Sequence, residues 1–202
     1  MSVRETPTPR PTRKRAAAET AAPPPLLPLS FEQFSALIGQ LYEGPLEDVP
    51  WATAMRQVRQ YLDANWVTLI LRPASVNQQA ILVRASEHGE DLYGAAYNQF
   101  QMFSLDPFVG LPPDKVLSID EMVDVGKWSS GEFYKQLIER NDIRYIIGAD
   151  IRIEGGGECR LRITRSSKGR EFTAEDKAFC GQLLPHLRRS VKLRSRVDRI
   201  ES

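Results

Sequence analysis

The chain has 202 residues, 42% of them apolar and 26% charged, with a formal net charge of +1. That balance suits a globular protein with one ordinary hydrophobic core. No apolar run approaches the roughly 20 residues of a membrane-spanning helix and no signal-like segment opens the chain, so a cytoplasmic protein without a membrane partner is expected.

The small net charge hides an asymmetry. Residues 1–28 carry Arg4, Arg10, Arg13, Lys14 and Arg15 against Glu5 and Glu19, a balance of +3, together with seven of the fourteen prolines. Proline removes backbone donors and "TPTPRPTRKR" has almost nothing apolar to bury, so this tail is expected to be disordered. From His186 to Ser202 six basic residues face two acidic ones, a balance of +4, which leaves about −6 on the body between them.

Taken in chain order, the body alternates helices and strands. "SFEQFSALIGQLYEG" opens with Ser30 and, three residues later, Gln33. That is a capping-box pattern, and it leads into an apolar stripe of Phe31, Phe34, Leu37, Ile38 and Leu41. After Pro50, Trp51, Met55, Val58 and Leu62 repeat the helical spacing. "NWVTLILRP" is a short apolar run rich in branched residues and closed by Pro73. It reads as a central strand, with "QQAILVRAS" pairing beside it after a turn.

"SSGEFYKQLIERND" predicts a short helix with Phe133, Tyr134, Leu137 and Ile138 inward. "IRYIIGADIRIEGGGECRLRITR" predicts a hairpin turning at Gly155, Gly156 and Gly157. On its second arm Cys159, Leu161 and Ile163 alternate with Arg160, Arg162 and Thr164, the period of a half-buried strand. The chain closes with a long helix that Thr173 should cap, with Glu175 and Asp176 in the first turn where negative charge suits the helix dipole. Phe179, Leu183, Leu184, Leu187 and Val191 form its inner face, and Pro185 should kink it. Beyond Val191 the apolar residues Leu193, Val197 and Ile200 move to another face, so the helix is expected to leave the domain.

Short turns between the strand pairs point to an α+β fold, an antiparallel sheet sandwiched by helices in the manner of PAS and GAF sensors, rather than a parallel doubly wound sheet. The expected division is a tail over 1–28, a sensor domain over 29–187 and a protruding basic linker or dimerisation helix over 188–202.

Enzyme chemistry finds little support. There is no Gly-rich phosphate loop and no nucleophile elbow, and His88 and His186 share no ligand spacing with each other or with Cys159 and Cys180. No metal, no cofactor and no catalytic residues are therefore expected, and the cysteines read as buried free thiols. Asp106, Asp120 and Glu121 would have to act as paired carboxylates, and acids in loops are mostly solvated.

One stretch suggests a role. "YNQFQMFSLDP", Tyr97 to Pro107, resembles the N-terminal ligand-sensing domain of LuxR-type transcriptional regulators, where a tyrosine nine residues before an Asp-Pro pair lines the autoinducer pocket. "SGEFYKQLIERNDIRYIIGADI" is similar to the helix and strand that close that pocket, and "FTAEDKAFCGQLLPHLRRSV" to the helix leading out of it; together the likeness spans about residues 30–200. It implies that Asp106 accepts a ligand N–H and that Tyr97 lines the pocket. Tyr93 stands where acyl-homoserine-lactone receptors carry a tryptophan, and Gly89 where they carry a tyrosine. Half of that polar clamp is missing, which favours another small ligand, or none, over an acyl-homoserine lactone.

Trp66 and Trp128 are candidate pocket walls. Local chemistry offers alternatives: Asp106 before Pro107 can simply cap a helical turn, and Tyr93, Tyr97, Phe100 and Phe103 at helical spacing can be core. The expected function is a small-molecule-sensing regulatory domain without its helix-turn-helix, so that DNA is reached only through a domain absent from this chain. Weak homodimerisation, or pairing with a complete regulator, is expected through the last helix. The other reading is an interaction or dimerisation module that binds no ligand and acts through that helix.

Overall fold

The computed structural model describes residues 29–72, 80–86, 110–131, 134–139, 141–153 and 157–201. Helix α1 (Phe31–Glu43) starts on the predicted capping box: the Gln33 amide donates to Ser30 Oγ at 3.2 Å and the Ser30 amide to Gln33 Oε1 at 2.9 Å. A 3₁₀ turn (Gly44–Leu46) leads to α2 (Ala52–Tyr61), which has no Ser, Thr or Asp at its N-cap. Glu47 substitutes, its carboxylate accepting from the Thr53 amide at 3.1 Å.

The N-cap itself is Trp51, held in the left-handed region at φ 60°. A bulky residue stays there only where its surroundings determine it. Here the indole is fully buried, its Nε1 donates to Ser190 Oγ at 2.7 Å, and the Ser190 hydroxyl in turn donates to the Leu41 carbonyl. The ring lies so close to Gly44 that a Cβ on that residue would sit 2.4 Å from Trp51 Cδ1. Glycine is therefore required where α1 ends.

Strands β1 (Trp66–Arg72), β2 (Ile81–Ser86), β3 (Leu117–Ser118), β4 (Tyr145–Arg152) and β5 (Glu158–Arg165) form one antiparallel sheet in the order β2-β1-β5-β4-β3. β1 and β5, far apart in sequence, lie side by side in the middle, with Trp66 opposite Thr164 and Leu71 opposite Cys159. The β4–β5 hairpin agrees with the sequence reading, with Tyr145 opposite Arg165 and Arg152 opposite Glu158.

The last helix, α4 (Ala174–Glu201), runs through Pro185 as a single element. Thr173 caps it as expected: its Oγ1 accepts from the Asp176 amide at 3.3 Å, while the Thr173 amide donates to Asp176 Oδ2 at 2.9 Å. Helices α1, α2 and α4 cover one face of the sheet. Leu37, Leu41, Met55, Val58, Phe179, Leu183, Leu184 and Leu187 meet Val67, Leu69, Val83, Ile147, Leu161 and Ile163 in the main core. The Phe34 and Phe179 rings meet edge to face at 6.4 Å. Packing contacts of the helix continue past residue 188: Ser190 and Val191 are buried and Arg194 Nη1 donates to the Pro45 carbonyl at 2.5 Å, while Leu193 is exposed.

Two local expectations change. The segment read as one helix around 129–142 instead holds a short helix upstream, α3 (Val125–Ser129), and a single π turn, Tyr134–Ile138. Asp124 Oδ1 caps α3 by accepting from the Gly126 amide at 3.1 Å, and the Glu139 amide reaches five residues back to the Tyr134 carbonyl at 2.9 Å. The larger change concerns β5, which is buried on both faces. Its Arg160 and Arg162 are only 4% and 8% exposed and Thr164 is equally covered, although their alternation reads as a solvent-facing side.

Candidate functional site

Alternation sends Val67, Leu69, Ile147, Leu161 and Ile163 toward the helices, so the intervening residues project from the opposite face. The register aligns them in rows. Arg84, Thr68, Arg162 and Gly148 form one row across β2, β1, β5 and β4. Ser86, Trp66, Thr164 and Ile146 form the row on one side of it, and Leu82, Ile70, Arg160 and Asp150 the row on the other.

The polar groups of this face are organised. Arg162 Nη2 meets Asp150 Oδ1 at 2.8 Å, and its Nη1 donates to the Ala149 and Leu161 carbonyls at 3.1 and 3.0 Å. Gly148 makes that arrangement possible, because a Cβ there would lie 3.0 Å from Arg162 Cδ. Asp150 also accepts from the Leu111 amide through Oδ2 at 3.2 Å, which ties the loop before β3 to β4. Thr164 Oγ1 donates to Asn65 Oδ1 at 2.6 Å. Arg160 pairs with Glu158 at 3.0 Å near the rim. Arg84 lies over the half-buried ring of Trp66, its guanidinium carbon 4.5 Å from the ring centroid. Burial lowers the pKa of Arg84.

Next to this polar field is a small second core of Leu111, Ile119, Ile138 and Ile146, with Trp128 and Tyr134 packed on it. The two rings meet edge to face at 4.8 Å. Trp128 Nε1 is buried and meets no acceptor among the described residues. Ile146 belongs to both regions, so the apolar cluster and the arginine rows share one side of the sheet.

No protein-family model matches the chain, and no curated protein matches it in sequence. Solved structures do. The VqsR ligand-binding domain from Pseudomonas aeruginosa aligns with a TM-score of 0.55 at 14% identity, over 82% of this chain and 95% of that one. SdiA residues 1–171 from Escherichia coli align with a TM-score of 0.51 at 13% identity, over 81% and 92%. The chain shares the fold of these domains. The chromophore-binding domain of a bacteriophytochrome from R. palustris also aligns, with a TM-score of 0.52 at 8% identity over 83% of this chain and 62% of that one, so the fold is common to that domain too.

Within this fold the sequence-derived site residues divide. Trp66 and Trp128 sit on the sheet face away from the main helices, Trp66 beneath Arg84 and Trp128 on the second core. Tyr93, Tyr97 and Asp106 lie outside the described residues. Sequence reasoning missed Arg84, Asp150, Arg160 and Arg162. The partial signal was a lone arginine in the otherwise apolar run "ILVRAS" and arginines at alternate positions of "CRLRITR".

Of the other candidate acids, Glu121 serves structure. Glu121 closes a second capping box on Ser118, accepting from its amide at 2.7 Å and its hydroxyl at 2.9 Å, and it also meets Lys177 Nζ at 2.9 Å. The Ser118 amide and the lysine hold its pKa down to about 2. Cys159 and Cys180 are free and buried, and burial raises both thiol pKa values well above the usual range. No cluster of metal-ligating side chains occurs among the described residues, and none of their helices is long and apolar enough to cross a membrane.

Proposed function

We propose that the chain is the small-molecule-sensing regulatory domain of a LuxR-type transcriptional regulator. The observation that carries this reading is the inequality of the two sheet faces. One is closed by three helices over an apolar core, whereas the other gathers buried arginines, Thr164, Asp150 and two tryptophans beside a small apolar cluster. A face that only stabilised the fold would not need several desolvated polar groups, since apolar residues of similar volume do that at lower cost.

In this reading Tyr93, Tyr97 and Asp106 join Trp66 and Trp128 around the ligand. The protein is regulatory rather than catalytic, it acts in the cytoplasm, and DNA is engaged through a domain outside this chain. The test is a thermal-shift screen of small amphipathic metabolites against the full chain, repeated on Asp106→Ala and Trp66→Ala. A stabiliser whose effect is lost in both variants supports the reading. A ligand unaffected by either substitution binds elsewhere and refutes this site.

A second reading, self-association through α4, rests on Leu193 and Leu46, which are exposed on either side of the Arg194–Pro45 hydrogen bond. Sedimentation over a wide concentration range tests it, and a monomer at high concentration removes it.

A further inference from the structure

Of the three arginines in the central rows of the face away from the helices, Arg84, Arg160 and Arg162, two meet described carboxylates. Arg162 pairs with Asp150 at 2.8 Å and Arg160 with Glu158 at 3.0 Å. Arg84 has no such acid among the described residues. Its guanidinium rests on Trp66, and its Nε is buried without a hydrogen-bond partner. A guanidinium stacked on an indole satisfies its flat face, not its N–H edges, which remain directed outward in the plane of the group. Leaving such an edge desolvated is costly unless an acceptor, best an anionic one, fills the place.

A second orphan shares that side of the sheet. Trp128 Nε1 is also buried without an acceptor among the described residues, and it belongs to the cluster around Ile146. Indole Nε1–H and guanidinium Nε–H are donors only, so whatever completes both must bring acceptors. From β2, which carries Arg84, to β4, which carries Ile146, there are three strand spacings, roughly 14 Å in all. The layer between them is mixed and covered, with half-buried Thr68 and buried Ile70 and Thr164.

We propose that this face binds an elongated amphipathic small molecule whose oxyanion head group, a carboxylate or a phosphate, seats on the N–H edge of Arg84 above Trp66, its apolar body running toward Trp128. The proposal rests on the ligand-sensing reading above and names the class of ligand. Arg84 supplies charge and direction, Trp66 fixes the guanidinium plane, and Asp150 keeps Arg162 occupied, so that a single anion is selected rather than a polyanion.

The test is isothermal titration of the full chain with octanoate, octyl phosphate and octanamide, which share an apolar body and differ in head group. At least one of the two anions is expected to bind at one site, tenfold or more tighter than octanamide, and the comparison of octanoate with octyl phosphate identifies the head group. Arg84→Gln is expected to weaken the anion at least tenfold while leaving the octanamide affinity and the circular dichroism spectrum unchanged. Arg84→Lys, which keeps the charge, should retain a measurable preference for the anion, and it serves as the readout should the glutamine variant fail to fold. Equal affinity for octanamide and both anions, or an anion affinity indifferent to Arg84→Gln, overturns the proposal and leaves the sensing reading standing. No saturable binding of any of the three probes overturns the proposal, and the metabolite screen then decides the sensing reading.

Discussion

The Arg165 guanidinium and the Asp176 carboxylate meet at 3.0 Å with 1% and 4% of their side chains exposed. Arg165 ends β5, Asp176 lies in the first turn of α4, and Arg165 Nε also donates to the Leu62 carbonyl just after α2, at 2.8 Å. One side chain thus fastens the sheet to two helices. Burial works to raise the Asp176 pKa, but hydrogen bonds from Arg170, the Thr173 amide and Arg165 outweigh it and hold the carboxyl below its ordinary value. The Arg165 guanidinium is also stacked on Phe172 at 4.1 Å.

Removing one partner of a desolvated pair leaves the other charge uncompensated. Asp176→Ala is therefore expected to cost about 3 kcal/mol, read as a lower urea midpoint at unchanged slope. Arg170→Ala removes the outer, half-exposed partner of the same carboxylate and should cost well under 1 kcal/mol. Equal costs for the two would show that Arg165 does not dominate the site.

Acid should loosen the fold in a defined window. Glu121 titrates at about 2 in the folded chain against 4.5 for a free side chain, so the native state holds fewer protons there than the unfolded one. Its contribution is complete above pH 4.5 and is lost as the pH falls toward 2. Thermal midpoints should decline through that interval, with Asp176 acting in the same direction. Glu121→Gln should flatten part of the decline, and less so at high salt because the carboxylate is nearly half exposed. Parallel pH curves for the wild type and the variant would contradict this.

The joint between α1 and α4 can be tested with two substitutions. Gly44→Ala drives a Cβ into the Trp51 ring, and overpacking of that kind costs about 1–3 kcal/mol. Ser190→Ala leaves Trp51 Nε1 buried without its acceptor, a loss of about 1–3 kcal/mol. In a double-mutant cycle Trp51→Phe should cancel most of the Ser190→Ala penalty, since phenylalanine has no donor to strand. Strict additivity would deny the interaction.

Cys159 and Cys180 should ignore a thiol reagent such as 5,5′-dithiobis(2-nitrobenzoate) in the native protein, because burial suppresses the thiolate. Both should react on unfolding. Rapid labelling of either in the folded state would mean that the core around them opens.

Much of the fold was legible because local signals agreed with tertiary packing. Ser30 with Gln33, Thr173 with Asp176, and the alternation on either side of Gly155 to Gly157 are short-range patterns, and each gave the element later found. The failures came where a long-range partner decides. Nothing in "CRLRITR" reveals that β1 and β4 will flank the strand and that both of its faces will be covered, so Arg160 and Arg162 read as solvent-facing. For the same reason Arg84 and Asp150 escaped notice as site residues: the strands that carry them are brought together only by the β1–β5 register, whose partners run from Trp66 with Thr164 to Arg72 with Glu158, whereas Trp66 and Trp128 stood out by residue type alone.

The pairing of β1 with β5 also sets the order in which the protein can assemble. Trp66 is matched to Thr164 and Trp51 to Ser190, so the first two helices find their partners only in the last quarter of the chain. Contacts so distant along the sequence slow folding, because the entropy of closing a long loop must be met before any of them forms. During synthesis Leu37 and Leu41 of α1 lack part of their packing until Phe179, Leu183 and Leu187 emerge. A nascent chain halted before Ala174 therefore presents an open apolar sheet face, the kind of surface that chaperones hold and that aggregates when they do not.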